Sequence, residues 1–135
     1  MLAVPGITQT NLIDSLQTVV KTTKSDTVRV NALNELADRY RKKTDYEQAL
    51  QNATAALALG EKINFKRGIA KSYSHLGNIY RNKSQYEKAI ESYNKAVPLF
   101  KSLNDKYALA TCYGNIGLAY YNMGNFEKAL EFHNK

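Results

Sequence analysis

The chain has 135 residues and a formal net charge of +7, and 44% of its residues are hydrophobic, with two prolines and seven glycines. This length fits one domain, and the composition excludes an intrinsically disordered chain. One cysteine excludes an internal disulfide framework. No apolar run approaches the ~20 residues of a membrane span, and no intact signal peptide is present. We expect a soluble protein and leave the compartment open between cytoplasm and periplasm.

Apolar residues recur at helical spacing without persistent strand-like alternation, which predicts an all-α class. Residues 1–7 are expected to lie outside any helix. The predicted helices span about 8–23, 27–43, 45–62, 66–82, 85–103 and 106–122, and a last helix begins near 125. Ser25 is the predicted N-cap of the second helix, and Asn64 and Asn104 are predicted left-handed residues after helix ends. Pro98 lies inside the fifth helix, where we expect a bend and then continuation.

One short segment recurs with a period of forty residues, at 44–50, 84–90 and 124–130. Each copy has an aromatic residue, an alanine and an aliphatic residue at helical spacing, so one helix face is apolar. Thr44 and Ser84 are predicted N-caps, and Glu47 and Glu87 would complete capping boxes with them.

The same period holds upstream of this segment, where an aliphatic residue, a small residue and a tyrosine recur. These residues are Leu36, Ala37 and Tyr40, then Leu76, Gly77 and Tyr80, then Ile116, Gly117 and Tyr120. The small residue would let a neighbouring helix approach closely. Helix, turn and helix therefore form the repeated unit, and a period of this length is typical of a solenoid.

This pattern resembles the tetratricopeptide repeat family. The residues that carry the resemblance are Leu76, Gly77 and Tyr80 in one helix and Tyr86, Ala89, Tyr93 and Ala96 in the next. The period exceeds the commonest one of about 34, as in the long-helix branch that includes kinesin light chains and many bacterial signalling proteins. The resemblance implies a right-handed α-α superhelix of antiparallel helix pairs. It divides the chain into an N-terminal tail and capping helix (1–26) and three units (27–65, 66–105 and a truncated 106–135).

The sequence contains no catalytic constellation, phosphate-binding loop or dinucleotide fingerprint. We therefore predict that the chain is not an enzyme and binds no cofactor. His75 and His133 lack acidic or sulfur partners at metal-ligand spacing, so no metal site is predicted. His133 follows Tyr93 by forty residues, which favours a packing role. Cys112 is expected to be a small buried hydrophobic residue.

The resemblance also implies a concave groove, lined by the first helix of each unit, that binds a peptide or a helix. The candidate groove residues are Asn31, Asn34, Asp38, Arg41, Lys71, Ser74, Asn78, Arg81, Asn82, Leu118, Tyr121 and Asn122. Asparagine can donate to and accept from a peptide backbone, and arginine suits a carboxylate. Recognition of a C-terminal carboxylate, as in some members, is not supported, because Asp38 would repel that group. A plain polar solenoid surface is the competing interpretation.

The sequence thus predicts a protein–protein interaction scaffold within a larger bacterial signalling or regulatory protein, with a protein or peptide partner. The alternative is a solenoid that binds nucleic acid through its basic surface. Since the third unit is truncated, we also expect its second helix either to fray after about Phe126 or to bury its apolar face against a second copy of the chain.

Overall fold

The computed structural model describes the backbone of residues 5–135 and the side chains of residues 11–135. Seven helices span α1 Pro5–Thr22, α2 Asp26–Lys42, α3 Tyr46–Lys62, α4 Lys66–Asn82, α5 Tyr86–Ser102, α6 Lys106–Asn122 and α7 Phe126–His133. No strand is present between residues 5 and 135, which confirms the all-α prediction. Of the predicted tail, residues 1–4 lie outside the described residues, and residues 5–7 belong to α1 rather than preceding it.

The five turns from α2 to α7 share one backbone conformation, in which the middle residue is left-handed. Its φ is 61° at Thr44, 55° at Asn64, 60° at Ser84, 53° at Asn104 and 78° at Gly124. In the first of these turns the Asp45 N–H donates to the Tyr40 carbonyl and the Thr44 N–H to the Arg41 carbonyl. This pair of bonds is the Schellman motif, which satisfies the last carbonyls of a helix. The predicted left-handed Asn64 and Asn104 are confirmed.

The predicted N-caps at Thr44 and Ser84 are wrong, because both residues terminate the preceding helix in the left-handed conformation. The N-cap is the following residue in each case. Asp45 accepts a hydrogen bond from the Gln48 N–H at 3.2 Å, whereas Gln85 makes no side-chain cap. At the start of α2 the predicted cap is confirmed, since Ser25 Oγ accepts from the Val28 N–H at 3.3 Å.

The helices pack as antiparallel pairs, α2 with α3, α4 with α5 and α6 with α7, and each pair packs against the next. Helix α2 also contacts α4, and α4 contacts α6, whereas α3, α5 and α7 make no contact with one another in the described chain. The first helices of the units are therefore crowded together and the second helices are splayed apart. This asymmetry curves the stack and makes the surface of α2, α4 and α6 its inner side.

Helix α1 contacts α2 and no other helix among the described residues. Ile13 is buried in this contact, whereas its neighbour Leu12 is exposed. Arg29 of α2 fastens the end of α1, because its Nε donates to the Val20 carbonyl at 3.0 Å and its Nη2 to the Thr23 carbonyl at 2.5 Å. A cation at a helix C-terminus also complements the helix dipole.

The core of the second unit depends on the absence of a side chain at Gly77. A Cβ at that position would lie 2.5 Å from Tyr93 Cε1 and 2.7 Å from Tyr93 Cδ1. The Tyr93 ring is fully buried. The prediction of a close helix–helix contact at Gly77 is confirmed. Helix α5 continues through Pro98 to Ser102, which confirms the predicted continuation, and the bend at Pro98 stays a prediction.

Cys112 lies fully buried in the core between α5 and α6. Burial raises the pKa of its thiol to about 11, so it stays protonated at neutral pH. The prediction of a small buried hydrophobic residue is confirmed.

We expect Gly77→Ala to lower the free energy of unfolding by roughly 1–3 kcal/mol, because the added methyl group must displace the buried Tyr93 ring. The matched control is Gly114→Ala, since a Cβ at Gly114 meets no atom within 4 Å. That variant should be neutral or slightly stabilised, as alanine favours helix over glycine by roughly 0.5–1 kcal/mol. Urea unfolding measures both. Equal stabilities of the two variants would contradict the packing role of Gly77.

Candidate binding groove

The predicted groove residues lie on the inner helices but differ widely in exposure. Asn31, Lys71, Asn82, Leu118, Tyr121 and Asn122 are exposed, and Asp38, Arg41, Ser74, Asn78 and Arg81 are half-buried. Asn34 is buried. The exposed members are open to a ligand from solvent, whereas the half-buried ones are partly committed to contacts between units.

Asn34 joins two inner helices and is not available to a ligand. Its Nδ2 donates to the Gly68 carbonyl of α4 at 3.1 Å. The Ser72 hydroxyl lies 2.9 Å from both Asn34 Oδ1 and the Gly68 carbonyl oxygen, and its single proton can go to either. The sequence placed Asn34 on the groove because its helical position repeats at Ser74 and Gly114. The approach of α4 to α2 covers it instead.

A charged cluster crosses from the first unit to the second on the inner surface. Asp38 Oδ1 accepts from Arg41 Nη2 at 2.7 Å, and its Oδ2 lies 2.8 Å from Lys42 Nζ. Although burial alone would raise the pKa of Asp38, the hydrogen bonds from Lys42 and Arg41 hold it below its usual value. The Asn82 amide, with its oxygen turned toward α2, accepts from Arg41 Nη1 at 3.2 Å. Asp38 therefore presents no free carboxylate to a partner.

A second junction, which contains no carboxylate, joins the second unit to the third. The Tyr93 hydroxyl donates to Asn78 Oδ1 at 2.7 Å, and Asn115 Nδ2 donates to the same oxygen at 3.3 Å. Arg81 Nη1 donates to Asn115 Oδ1 at 3.0 Å. Burial raises the pKa of Tyr93, so the phenol stays protonated and donates. Arg81 forms no ion pair with a carboxylate in the described chain, unlike Arg41.

His75 occupies the position in α4 that Asn115 occupies in α6. Unlike Asn115, it forms no side-chain hydrogen bond to the preceding unit in the described chain. Its Nδ1 is buried and has no hydrogen-bond partner among the described residues. Burial lowers the pKa of His75, and the nearby Asp38 carboxylate only partly opposes this. The imidazole is therefore neutral at physiological pH.

Tyrosines of the inner helices pair with lysines that lie in the second helices or just after them, in a repeated arrangement. Lys88 Nζ lies 5.7 Å from the centre of the Tyr80 ring, and Lys128 Nζ lies 5.2 Å from that of Tyr120, forty residues on. Lys95 with Tyr73 and Lys135 with Tyr113 repeat a second such contact. These cation–π contacts occupy aromatic faces that stacked bases would need.

A cleft of about 450 Å³ lies between α6 and α7. Its lining is almost entirely apolar and comprises Gly114, Gly117, Leu118, Tyr121, Phe126, Ala129, Leu130 and His133. Phe126 and Leu130 expose 63% and 61% of their surface. Their counterparts in the second unit are less exposed, since Tyr86 is half-buried and Ile90 is buried. His133 is exposed, so the prediction that it packs as Tyr93 does is wrong. No neighbouring helix lies over it in the described chain.

Sequence reasoning identified two residues of this cleft, Leu118 and Tyr121, but not the cleft itself. The available signal was the change of residue type within the repeat. Asn78, Arg81 and Lys83 become Leu118, Tyr121 and Met123 forty residues later. All three of these replacements are exposed in the structure.

The described residues include no group of three or more His, Cys, Asp or Glu side chains placed to hold a metal ion. Within the same part of the chain, no helix combines the length and the apolar character needed to cross a bilayer.

A comparison with protein families agrees with the helical repeat. A family model described as tetratricopeptide repeat matches residues 68–135, half of the chain. The chain belongs to the tetratricopeptide repeat family. Such repeats are in general modules for protein–protein interaction rather than catalysis, and this tetratricopeptide repeat chain is an interaction scaffold with protein partners.

Solved structures share the fold of this tetratricopeptide repeat chain. The TPR domain of Arabidopsis FLU is 19% identical, with a TM-score of 0.75 over 82% of this chain and 92% of that one. Aspartyl phosphate phosphatase F from Bacillus subtilis is 21% identical, with a TM-score of 0.81 over 90% of this chain and 33% of that one. BtubC (BKLC) from P. vanneervenii is 20% identical, with a TM-score of 0.71 over 93% of this chain and 52% of that one. A comparison with curated proteins found no match.

These identities establish the fold and nothing finer. The chain spans about a third of the length of the phosphatase and about half of BtubC. The prediction of the family and of an all-α solenoid is confirmed.

His75 should make the stability of the fold depend on pH. Above its usual pKa of 6.5 the side chain is neutral in both states and contributes no pH dependence. As the pH falls below that value, the unfolded chain binds the proton before the folded chain does, so the free energy of unfolding decreases. Urea unfolding at about pH 7.5 and about pH 5.5 should show this loss. The variant His75→Asn, which copies Asn115, should lose less.

Asp38 does not interfere with this measurement, because its lowered pKa gives a stabilisation that is lost only as the pH falls below about 3.8. If the wild type and His75→Asn lose equal stability between the two pH values, the neutral buried state of His75 is not the cause.

Proposed function

We propose that the inner surface of α2, α4 and α6 binds an acidic segment of a partner protein, either extended or helical. The observation that carries this proposal is the uncompensated positive charge of α4. Lys71 and Arg81 lie on its inner face, about 15 Å apart along the helix axis. Neither forms an ion pair with a carboxylate in the described chain, whereas Asp38 is already neutralised by Arg41 and Lys42. An anionic ligand would supply the missing charges.

The exposed amides of Asn31 and Asn122 complement this charge, because each can donate to and accept from the backbone of a bound segment. The inner helices hold these groups in place, since side-chain hydrogen bonds fasten α2 to α4 and α4 to α6. A rigid surface loses little conformational entropy on binding. Recognition of a peptide or a helix in the groove therefore needs no rearrangement of the scaffold.

We further propose that the chain serves as the interaction region of a bacterial signalling or regulatory protein. The support is the forty-residue period, which resembles the long-helix repeats of such proteins. Aspartyl phosphate phosphatase F from Bacillus subtilis offers a parallel in fold. The division into a capping segment (1–26) and units 27–65, 66–105 and 106–135 belongs to the same proposal. No catalytic role is assigned to this part of the chain.

The competing function is binding of nucleic acid through the net charge of +7. Two observations count against it. The lysines that lie over Tyr73, Tyr80, Tyr113 and Tyr120 are spread along the second helices rather than gathered in the groove. Their contacts also cover the tyrosine faces on which bases would stack.

The test is selection of displayed random peptides on the immobilised wild-type protein, followed by affinity measurement with groove variants. We expect selected peptides rich in Asp and Glu. The double variant Lys71→Glu with Arg81→Glu should weaken their binding about tenfold or more, because it reverses both uncompensated charges. The matched control is Lys66→Glu with Lys106→Glu, which makes the same net charge change at the first residues of α4 and α6. This control should bind as the wild type does.

Equal binding by the groove variant and the wild type would place the peptide site on another surface and contradict the proposal. A single-stranded oligonucleotide is titrated in parallel at several salt concentrations. If it binds more tightly than any selected peptide, with an affinity that falls steeply with salt, the nucleic-acid function replaces the peptide function.

A further inference from the structure

The inner surface changes from polar to apolar in the third unit. Along the repeat, Asp38 and Asn78 are followed by Leu118, and Arg41 and Arg81 are followed by Tyr121. Leu118 exposes 48% of its surface and Tyr121 59%, so neither replacement fills a core position within this chain. Tyr121 packs edge-on against Phe126 with ring centres 5.4 Å apart. The change from polar to apolar residues in the third unit therefore alters the exposed surface and not the core.

A cleft lies beside these residues, and two differences from the second unit leave it open. In the second unit the Tyr93 ring covers Gly77, and its hydroxyl donates to Asn78. In the third unit His133 stands in place of Tyr93 and Leu118 in place of Asn78, so this hydrogen bond has neither its donor nor its acceptor. The three atoms nearest a Cβ at Gly117 are the Ala129 carbonyl oxygen, Phe132 Cβ and the His133 backbone nitrogen, so none of them is a ring atom. In the second unit α6 also covers this face, because Ile90 and Tyr93 pack in one core with Cys112 and Ile116, whereas no described helix covers it in the third unit. The uncovered space is the 450 Å³ cleft, which is large enough for one or two large apolar side chains.

The cleft adjoins the basic part of the groove. Arg81 Nη1 is bonded to Asn115, and Leu118 follows Asn115 by three residues on α6. Three residues of helix rise by about 4.5 Å, so the guanidinium group and the lip of the cleft are within reach of one short segment. A ligand whose carboxylate meets Arg81 could place a neighbouring side chain between Tyr121 and Leu130.

We infer that the segment bound in the groove has two parts, carboxylates over α4 and a large apolar anchor, aromatic or leucine-like, in the cleft between α6 and α7. This inference rests on the proposed function, and it adds the kind of side chain that the third unit would select. The apolar lining would gain from losing water, and the cleft lies next to Arg81, one of the two cations of α4 that form no ion pair. An acidic segment with such an anchor complements both surfaces at once.

Charge also selects this occupant over a second copy of the chain. Two copies with a net charge of +7 each repel one another, whereas an acidic segment is attracted. Of the groove charges that attract the segment, Arg81 lies beside the cleft. The acidic ligand is therefore favoured electrostatically and a homodimer is not.

The experiment uses the peptides selected on wild-type protein and a variant that restores the residues of the second unit, Leu118→Asn with Tyr121→Arg. Selected peptides should combine acidic residues with at least one Leu, Phe, Tyr or Trp. Their affinity should fall about tenfold or more in this variant, because the anchor loses its apolar contacts. The added positive charge cannot explain a loss of binding to an acidic peptide. Replacing the anchor by alanine in the peptide should produce a similar loss on wild-type protein and none on the variant.

The matched control is Tyr107→Arg, which replaces another exposed aromatic residue by its counterpart Arg67 and also adds one positive charge. It should bind the selected peptides as tightly as the wild type, or more tightly. Circular dichroism confirms that each variant keeps its helix content.

Acidic peptides that lack an apolar anchor, and that still depend on Lys71 and Arg81, would overturn this inference and leave the proposed function intact. Peptides that depend on neither set of residues would contradict both, as would a selection that enriches no peptide. Sedimentation tests the second copy as the occupant. A dimer that Leu118→Asn with Tyr121→Arg abolishes and Tyr107→Arg preserves would show that the cleft binds another copy, and would overturn the inference.

Discussion

The left-handed residue in each turn is the constraint on which the rest of this structure depends. Five turns between Lys42 and Phe126 have one such residue each, and each satisfies the end of a helix with the same pair of backbone bonds. Because the turns are alike, the helices leave them at similar angles and one helix pair is nearly a copy of the next. A non-glycine residue accepts this conformation at a small cost, which the paired carbonyls offset.

Because the turns are alike, the small residue of a unit lies where two helices meet, and these close contacts set the shape of the stack. Gly77 lets the Tyr93 ring lie against α4, so the second helix of the unit packs closely on the first. The inner helices then contact one another across units while the second helices do not. The result is an inner surface whose polar groups meet between units, where they form the Asp38–Arg41 cluster and the Asn78–Asn115 junction.

This crowding decides which polar groups remain for a partner. Asn34 and Asp38 are satisfied by groups of the chain itself, whereas Lys71 and Arg81 form no ion pair with a carboxylate of the described chain. The third unit departs from the pattern by replacing polar groups with Leu118 and Tyr121. A surface with unpaired cations next to an apolar cleft can select a segment that is both acidic and apolar, which a uniformly polar surface cannot do.

The sequence by itself determined the repeat, the seven helices to within a few residues, the left-handed Asn64 and Asn104, and the close contact at Gly77. These features are local, since helical periodicity and turn chemistry act within about one helix and its neighbour. Only the tertiary structure decided that Thr44 and Ser84 end one helix instead of beginning the next, that Asn34 is buried, and that His133 borders an open cleft. Each of these depends on how closely one unit approaches another. Equivalent positions in a repeat share a helix face, but their exposure is set by the helix that packs over them.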